Sequence, residues 1–340
     1  MRAETHTDRR ATVVAWQGIS LSVPEDWSFA AFGGDWSKGS FRVDAPLDAF
    51  VEVEWSPAGA SPNLKKEFEA SVARMRQKSK RSRGAVEVKE KPRALSGLRL
   101  AGGVPHTFSL RADSLGYGAL WHSVSGGRML LAKVVGPQKE SLGPLAHGIL
   151  SSIEDHAGDD LVEWSIYGFS FRAPRSLRLA KQSLQSGHLA MELSAMRPSR
   201  LAFLPFRLPG LNLADTEVVD RKRGLQVDRW SLADVILKKD GFQHWVMGAL
   251  WPRLKSYDYK RLASSQGDHE AAELRGRKSG IPAMLKRLPF WLVRRDPRDH
   301  LQGHAWVCPE SNRIFSVLAT GGQEESRTLA AQVVTSVECH

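Results

Sequence analysis

The chain has 340 residues, of which 42% are hydrophobic and 25% charged, and its formal net charge is +11 with a pI near 9.8. This composition excludes a disordered or fibrous chain, and no apolar run is long enough to predict a membrane span. Two cysteines, Cys308 and Cys339, are too few for a disulfide framework, and no secretory leader is recognisable, so we expect a cytoplasmic protein.

The first half of the chain is predicted to be mostly strands, with two helices. Residues 1–12 are typical of a flexible polar tail. Apolar residues at every second position predict strands at about 13–23, 40–44 and 50–55, and an apolar stripe at helical spacing predicts a helix to about residue 80. The remaining predicted elements are strands at about 85–92, 100–110, 115–124 and 128–135 and a helix at 141–153.

A short pattern near the start recurs in the middle of the chain. Gly18-x-Ser-x-x-x-Pro24 matches Gly168-x-Ser-x-x-x-Pro174 without a gap, and apolar residues alternate in both copies. This alternation predicts a strand with one buried face, and the proline ends the strand because it lacks an amide proton.

A second pattern closes each half. Arg128 aligns with Arg313 and, in the same register, Trp121 aligns with Trp306. Further on, the seven residues that end at His156 match the seven that end at the last residue of the chain. The matches keep their order, which favours a tandem duplication.

We therefore predict an α+β protein of two tandem units, each an antiparallel sheet flanked by helices. The units are predicted at 13–157 and 158–340, and the second is longer because of an insertion at about 175–250. Within the second unit, Asp-Gly between apolar runs predicts a hairpin over 235–247. Residues 256–265 are read as a shortened version of the first unit's long helix.

The first unit resembles the PsbP-like fold. This fold is shared by the oxygen-evolving-complex subunit of photosystem II, the yeast Ran-binding nuclear-import factor and the effector-associated chaperones of bacterial type VI secretion. The resemblance is carried by Gly18–Trp27, the helix around Phe68–Met75 and Ser96-Gly97. It implies a protein that binds other proteins or acts as an accessory subunit.

Three segments are candidate partner-binding surfaces. The first has six positive charges in the ten residues 74–83, the second is the apolar, proline-broken segment 201–211, and the third, 286–298, mixes aromatic residues with arginines. The candidate residues are Arg74, Arg76, Lys80, Arg81, Arg83, Phe203, Phe206, Lys286, Arg287, Trp291, Arg294 and Arg295.

Each segment also has a purely structural explanation. The basic run suits the C-terminal end of a helix, where positive charge complements the helix dipole, and this explanation is favoured over contact with phosphates or with an acidic protein partner. The third segment is explained as well by a strand with one apolar face. The apolar segment would pack on its own domain or form a contact surface.

No cofactor, metal or catalytic site is predicted. His300, His304 and Cys308 have helical spacing for zinc, but His304–Cys308 is predicted to be a strand, and four strand residues span about 13 Å, too far for one ion. Catalytic signatures such as a nucleophile elbow or a phosphate-binding loop are missing.

The sequence thus predicts a non-enzymatic scaffold, chaperone or accessory subunit that binds a protein partner with an acidic or apolar segment. The duplication predicts a monomer or a covalent pseudo-dimer. A basic protein associated with nucleic acid is the alternative.

Overall fold

The computed structural model describes residues 10–59, 62–81, 86–139, 141–198, 217–278 and 300–339. The chain divides into two compact units, Met1–Gly168 and Phe169–His340. None of the described helices is long and apolar enough to cross a membrane.

The first unit contains one large antiparallel sheet and a smaller one. The large sheet has the strand order β3-β4-β5-β9-β8-β7-β6, and the smaller one places β10, β2, β1 and β11 side by side. The strands are β1 (Ala11–Trp16), β2 (Ile19–Pro24), β3 (Ser28–Gly34), β4 (Gly39–Asp44), β5 (Phe50–Pro57), β6 (Glu87–Glu90), β7 (His106–Arg111), β8 (Leu115–Ser123), β9 (Arg128–Gly136), β10 (Glu154–Asp155) and β11 (Leu161–Ile166), and the helices are α1 (Leu64–Arg81) and α2 (Leu142–Ser151).

The second unit has a large sheet of the same design. Its strand order is β13-β14-β15-β19-β18-β17-β16. In each large sheet the strand that comes last along the chain, β9 or β19, is therefore at the centre. The elements are β12 (Phe169–Pro174), β13 (Leu177–Gln185), β14 (His188–Pro198), β15 (Glu217–Ser231), α3 (Ala233–Leu237), α4 (Gly241–Leu254), β16 (Tyr257–Gln266), β17 (His269–Lys278), β18 (His300–Cys308), β19 (Arg313–Gly321) and α5 (Gln323–Val334).

The glycines of the repeated pattern occupy turns that need left-handed backbone. Gln17 and Gly18, between β1 and β2, have φ of 53° and 77°, and Tyr167 and Gly168 have φ of 51° and 64°. Two successive positive φ values define the turn that suits a two-residue hairpin, and glycine adopts them without strain. At Gly18 a β-carbon would also lie 2.5 Å from the ring of Trp36.

Each large sheet is covered on one face by a single long helix. In the first unit α1 buries Phe68 and Val72 against Phe108 and Leu120 of the sheet. In the second unit α4 buries a row of four apolar side chains against β17, β18 and β19, and these are Phe242, Val246, Leu250 and Leu254. The opposite faces receive α2 and α5.

The predicted fold class is wrong. Among the described residues, strands make up 53% and helices 21%, and these strands form three sheets, so this is not an α+β PsbP-like arrangement with flanking helices. Two local errors lie in the second unit. Asp240-Gly241 begins helix α4 instead of turning a hairpin, and residues read as a short helix form the ten-residue strand β16.

The hairpin error has a physical cause. Asp-Gly is common in hairpin turns but is equally at home at the start of a helix, and the residues after it repeat apolar side chains every four positions. That spacing matches a helix face, which packs on the sheet. Tertiary burial therefore overrode the turn signal.

Candidate functional site

α4 covers only part of one face of the second large sheet, and the uncovered part of that face is polar. Along β14, the residues on this face are His188, Ala190 and Glu192, and along β15 they include Gln226 and Asp228, because successive strand residues point to opposite faces. The strand register places Ala190 opposite Asp228 and Glu192 opposite Gln226. Polar groups from two neighbouring strands thus meet on one surface.

Asp228 is the centre of this polar surface and is fully buried. Its Oδ1 accepts from His188 Nε2 at 2.9 Å and from Arg253 of α4 at 3.1 Å, and Ser316 Oγ donates to its Oδ2 at 3.1 Å. Gln226 Nε2 donates to Oδ1 at 3.3 Å. A buried carboxylate is costly unless it is paired and hydrogen-bonded, and these four donors meet that requirement.

Aromatic rings support the imidazole of His188. Trp230 stacks on it with 4.6 Å between ring centroids and an interplanar angle of 5°, and Trp245 of α4 meets Trp230 edge-on at 5.0 Å. Because Nε2 binds the carboxylate of Asp228, the ring is fixed both in its plane and at its polar edge. His188 and Arg253 are therefore held in position before any ligand arrives.

The hydrogen-bond directions do not form a nucleophile–base relay. Ser316 is fully buried and donates to Asp228, not to His188, so its hydroxyl is neither accessible nor activated by the imidazole. The cluster positions donors, and it does not reproduce a hydrolytic triad.

A cavity of about 460 Å³ opens above this surface. Its lining comes from β13, β14, β15 and α4, and consists of Lys181, Gln182, Ser183, His188, Ala190, Glu192, Gln226 and Arg253. Asp228 already accepts four hydrogen bonds, so the remaining capacity in the cavity lies mainly in the N–H groups of Lys181, Arg253 and the two glutamines. Glu192 is the one carboxylate among the lining residues.

The positive charge of the protein is concentrated in the unit that contains this cavity. The second unit has 27 Lys and Arg against 17 Asp and Glu, a net +10, whereas the first has 21 against 20, a net +1. An asymmetry of this size attracts anionic groups to the second unit more strongly than to the first.

Most of the predicted partner-binding residues lie outside the described part of the chain. Arg74 and Arg76 are exposed on α1, and Lys80 and Arg81 are at its end. The others, which therefore stay predictions, are Arg83, Phe203, Phe206, Lys286, Arg287, Trp291, Arg294 and Arg295.

His300, His304 and Cys308 lie on strand β18, so the strand predicted at His304–Cys308 is present. Burial lowers the pKa of His304, while the nearby carboxylate of Glu273 acts in the opposite direction. Cys308 instead lies beside His269 and Cys339, whose ligand atoms are all within 4.8 Å of one another. Burial, and after it Cys308, raises the pKa of the Cys339 thiol to about 11.

Sequence reasoning missed both clusters. His188, Arg253 and Ser316 are 40, 25 and 88 residues from Asp228, so no local motif links them. For the thiols a signal was available, because the repeat alignment places Cys339 on Asp155. Asp155 forms a buried ion pair in the first unit, which indicates that its counterpart Cys339 also lies where side chains interact.

Comparison with known proteins adds little to this geometry. No family model, enzymatic or otherwise, and no curated protein matches the chain. Among solved structures, the chain is similar to the apo structure of the immunity protein TplEi of T6SS from Pseudomonas aeruginosa, with 97% of each chain covered, 10% identity and a TM-score of 0.29. A TM-score this low supports neither a fold assignment nor a function, and nothing here supports the PsbP-like resemblance.

Proposed function

We propose that the protein is a non-enzymatic, cytoplasmic binding protein, acting as a scaffold, chaperone or accessory subunit, whose second unit binds an acidic segment of a partner protein. The observation that carries this proposal is the cavity beside α4. Its donors are fixed by the buried Asp228, and it lies in the unit with a net charge of +10.

The chemistry of the cavity favours a carboxylate side chain as its occupant. Arg253 uses one N–H group on Asp228 and retains further donors in a planar fork that matches a carboxylate. Lys181 is exposed at the rim and adds a flexible positive charge. A volume of about 460 Å³ accommodates one or two side chains, so the rest of the partner would lie outside the cavity.

The test is binding of a labelled acidic peptide, measured by fluorescence anisotropy. We expect a peptide of alternating glutamate and glycine to bind, and its glutamine counterpart to bind much more weakly. Lys181→Gln should raise Kd up to about fivefold, as expected for an exposed ion pair. Glu192→Gln should lower Kd by a similar factor, because it removes the repelling carboxylate.

Lys239→Gln is the matched control, since this exposed lysine of the second unit does not line the cavity. Equal weakening by Lys181→Gln and Lys239→Gln would mean that charge acts diffusely and would reject the cavity as the site. A single-stranded oligonucleotide is titrated in parallel. If it binds more tightly than the peptide and loses affinity steeply with salt, the nucleic-acid alternative is correct instead.

A further inference from the structure

Three side chains that bind soft metal ions meet at one end of the second sheet. β17 and β18 pair antiparallel with Ala271 opposite Trp306, and continuing this register puts His269 opposite Cys308. Cys339 follows α5. The preceding residue, Glu338, forms a backbone bridge with Ser170, which brings Cys339 to the same end of the sheet. The three residues are thus placed by three different elements.

The distances fit a single ion. Cys339 Sγ lies 3.4 Å from His269 Nε2, and the three ligand atoms all lie within 4.8 Å of one another. Zinc bonds of about 2.3 Å to sulfur and about 2.05 Å to nitrogen at tetrahedral angles put sulfur and nitrogen roughly 3.6 Å apart. The observed separation therefore needs little adjustment.

The donor set selects the kind of metal. Two thiolates and an imidazole suit Zn²⁺ and other soft or borderline ions, whereas Mg²⁺ and Ca²⁺ require oxygen ligands. Cys308 is fully buried and Cys339 and His269 are half-buried, so the site is accessible from one side. Three protein ligands leave one tetrahedral position for a solvent molecule.

The equivalent place in the first unit is occupied by a different connection. There Arg128 of β9 forms a buried ion pair with Asp155, the residue that the repeat alignment places on Cys339. That ion pair holds the segment after α2 to the sheet. A metal at the cysteines would perform the same task for the segment after α5.

We propose that His269, Cys308 and Cys339 bind one zinc ion, which fastens the segment after α5 to the end of the second sheet. The test uses the full-length reduced protein and Co²⁺ as a spectroscopic probe. One equivalent should produce sulfur-to-cobalt charge-transfer absorption and the intense bands of tetrahedral Co²⁺, and Zn²⁺ should abolish both.

Two variants and a control decide the ligand assignment. Cys339→Ser and His269→Asn, both at half-buried positions, should each weaken Co²⁺ binding at least about tenfold. His300→Asn, which changes another imidazole at the far end of β18, should leave binding within about twofold. Circular dichroism confirms that each variant is folded, and Zn²⁺ should raise the Tm of the wild type but not of Cys339→Ser.

Three outcomes would overturn the proposal. The first is the absence of sulfur-to-cobalt absorption at one equivalent, and the second is unchanged binding in folded Cys339→Ser. The third comes from thiol titration of the zinc-treated protein after incubation in glutathione buffer. Loss of both thiols to a disulfide would identify the pair as a redox couple, whereas retention of both supports the metal site.

Discussion

The segment after α2 and the segment after α5 meet their sheets through different side chains. In the first, the guanidinium of Arg128 is bonded to Asp155 and also donates to the carbonyls of Gln17 and Trp36 at 3.0 and 3.1 Å. In the second, two thiols and an imidazole lie at the corresponding place. An ion pair is permanent at neutral pH, whereas thiols respond to metal and oxidant. The proposed zinc ion would give the second unit a connection that depends on conditions.

A second pair of equivalent positions shows the same divergence. Leu131 of β9 and Ser316 of β19 each follow the aligned arginine of their strand by three residues. Glu54 lies opposite Leu131, and Asp228 lies opposite Ser316. Glu54 is 35% exposed and is 3.7 Å from Lys133, whereas Asp228 is fully buried with four donors. The first unit leaves its carboxylate partly exposed here, whereas the second buries its carboxylate beneath residues that line a cavity.

The largest expected effect is at the buried ion pair. Arg128→Ala should lower the free energy of unfolding of the first unit by about 3–5 kcal/mol, because it leaves the carboxylate of Asp155 buried without its partner. Chemical denaturation followed by tryptophan fluorescence measures this. Arg42→Ala is the control, since that arginine is 43% exposed and also pairs with an aspartate; it should cost under about 1 kcal/mol. Equal losses would contradict the assigned role.

A smaller effect is expected at Asp228. Asp228→Asn removes the negative charge to which His188 and Arg253 donate hydrogen bonds, and should destabilise the second unit by about 2–3 kcal/mol. Glu54→Gln, at the equivalent position of the first unit, should cost under about 1 kcal/mol because its ion pair is partly exposed. If both substitutions cost the same in denaturant titrations, burial is not what separates the two positions.

The smallest effect is a dependence on pH. Burial lowers the folded-state pKa of His304 below its ordinary 6.5, so the unfolded chain binds this proton more tightly. The stabilising contribution is complete above pH 6.5 and is lost as the pH falls below it. Glu273 opposes this effect and Arg275 adds to it.

Unfolding midpoints measured between pH 5 and pH 8 should therefore fall on the acid side, and His304→Gln should reduce the slope. The matched control is His244→Gln, whose side chain is 78% exposed. A slope that His304→Gln does not change would assign the acid sensitivity to another group.

Sequence reasoning recovered what depends on local geometry. Gly18 and Gly168 were matched because both turns need positive φ, and Arg128 was matched with Arg313 because both begin the central strand. The limits 13–157 and 158–340 stay a prediction. The hairpin over 235–247 was predicted wrongly because Asp240-Gly241 serves turns and helix starts alike, and only packing on the sheet decides between them.

The candidate site could not be predicted from local sequence patterns because of the strand order in the sheet. The partners of Asp228 come from β14, β19 and α4, and they meet only after the strands have been paired in an order that differs from their order along the chain. No spacing rule anticipates such a meeting. The cysteine cluster needed the register of β17 and β18, which a repeat alignment alone does not supply.

The central position of the last strand has a consequence for folding kinetics. β5 pairs with β9, for example Phe50 with Val135, and β15 pairs with β19 in the same way. Each large sheet therefore consists of two groups of strands that are neighbours along the chain, and the inner edge of each group stays open until the β5–β9 or β15–β19 pairs form. Forming such distant pairs is slow, and the waiting edges invite pairing with other chains. Refolding yield should therefore fall as protein concentration rises, while the folded protein stays unaffected.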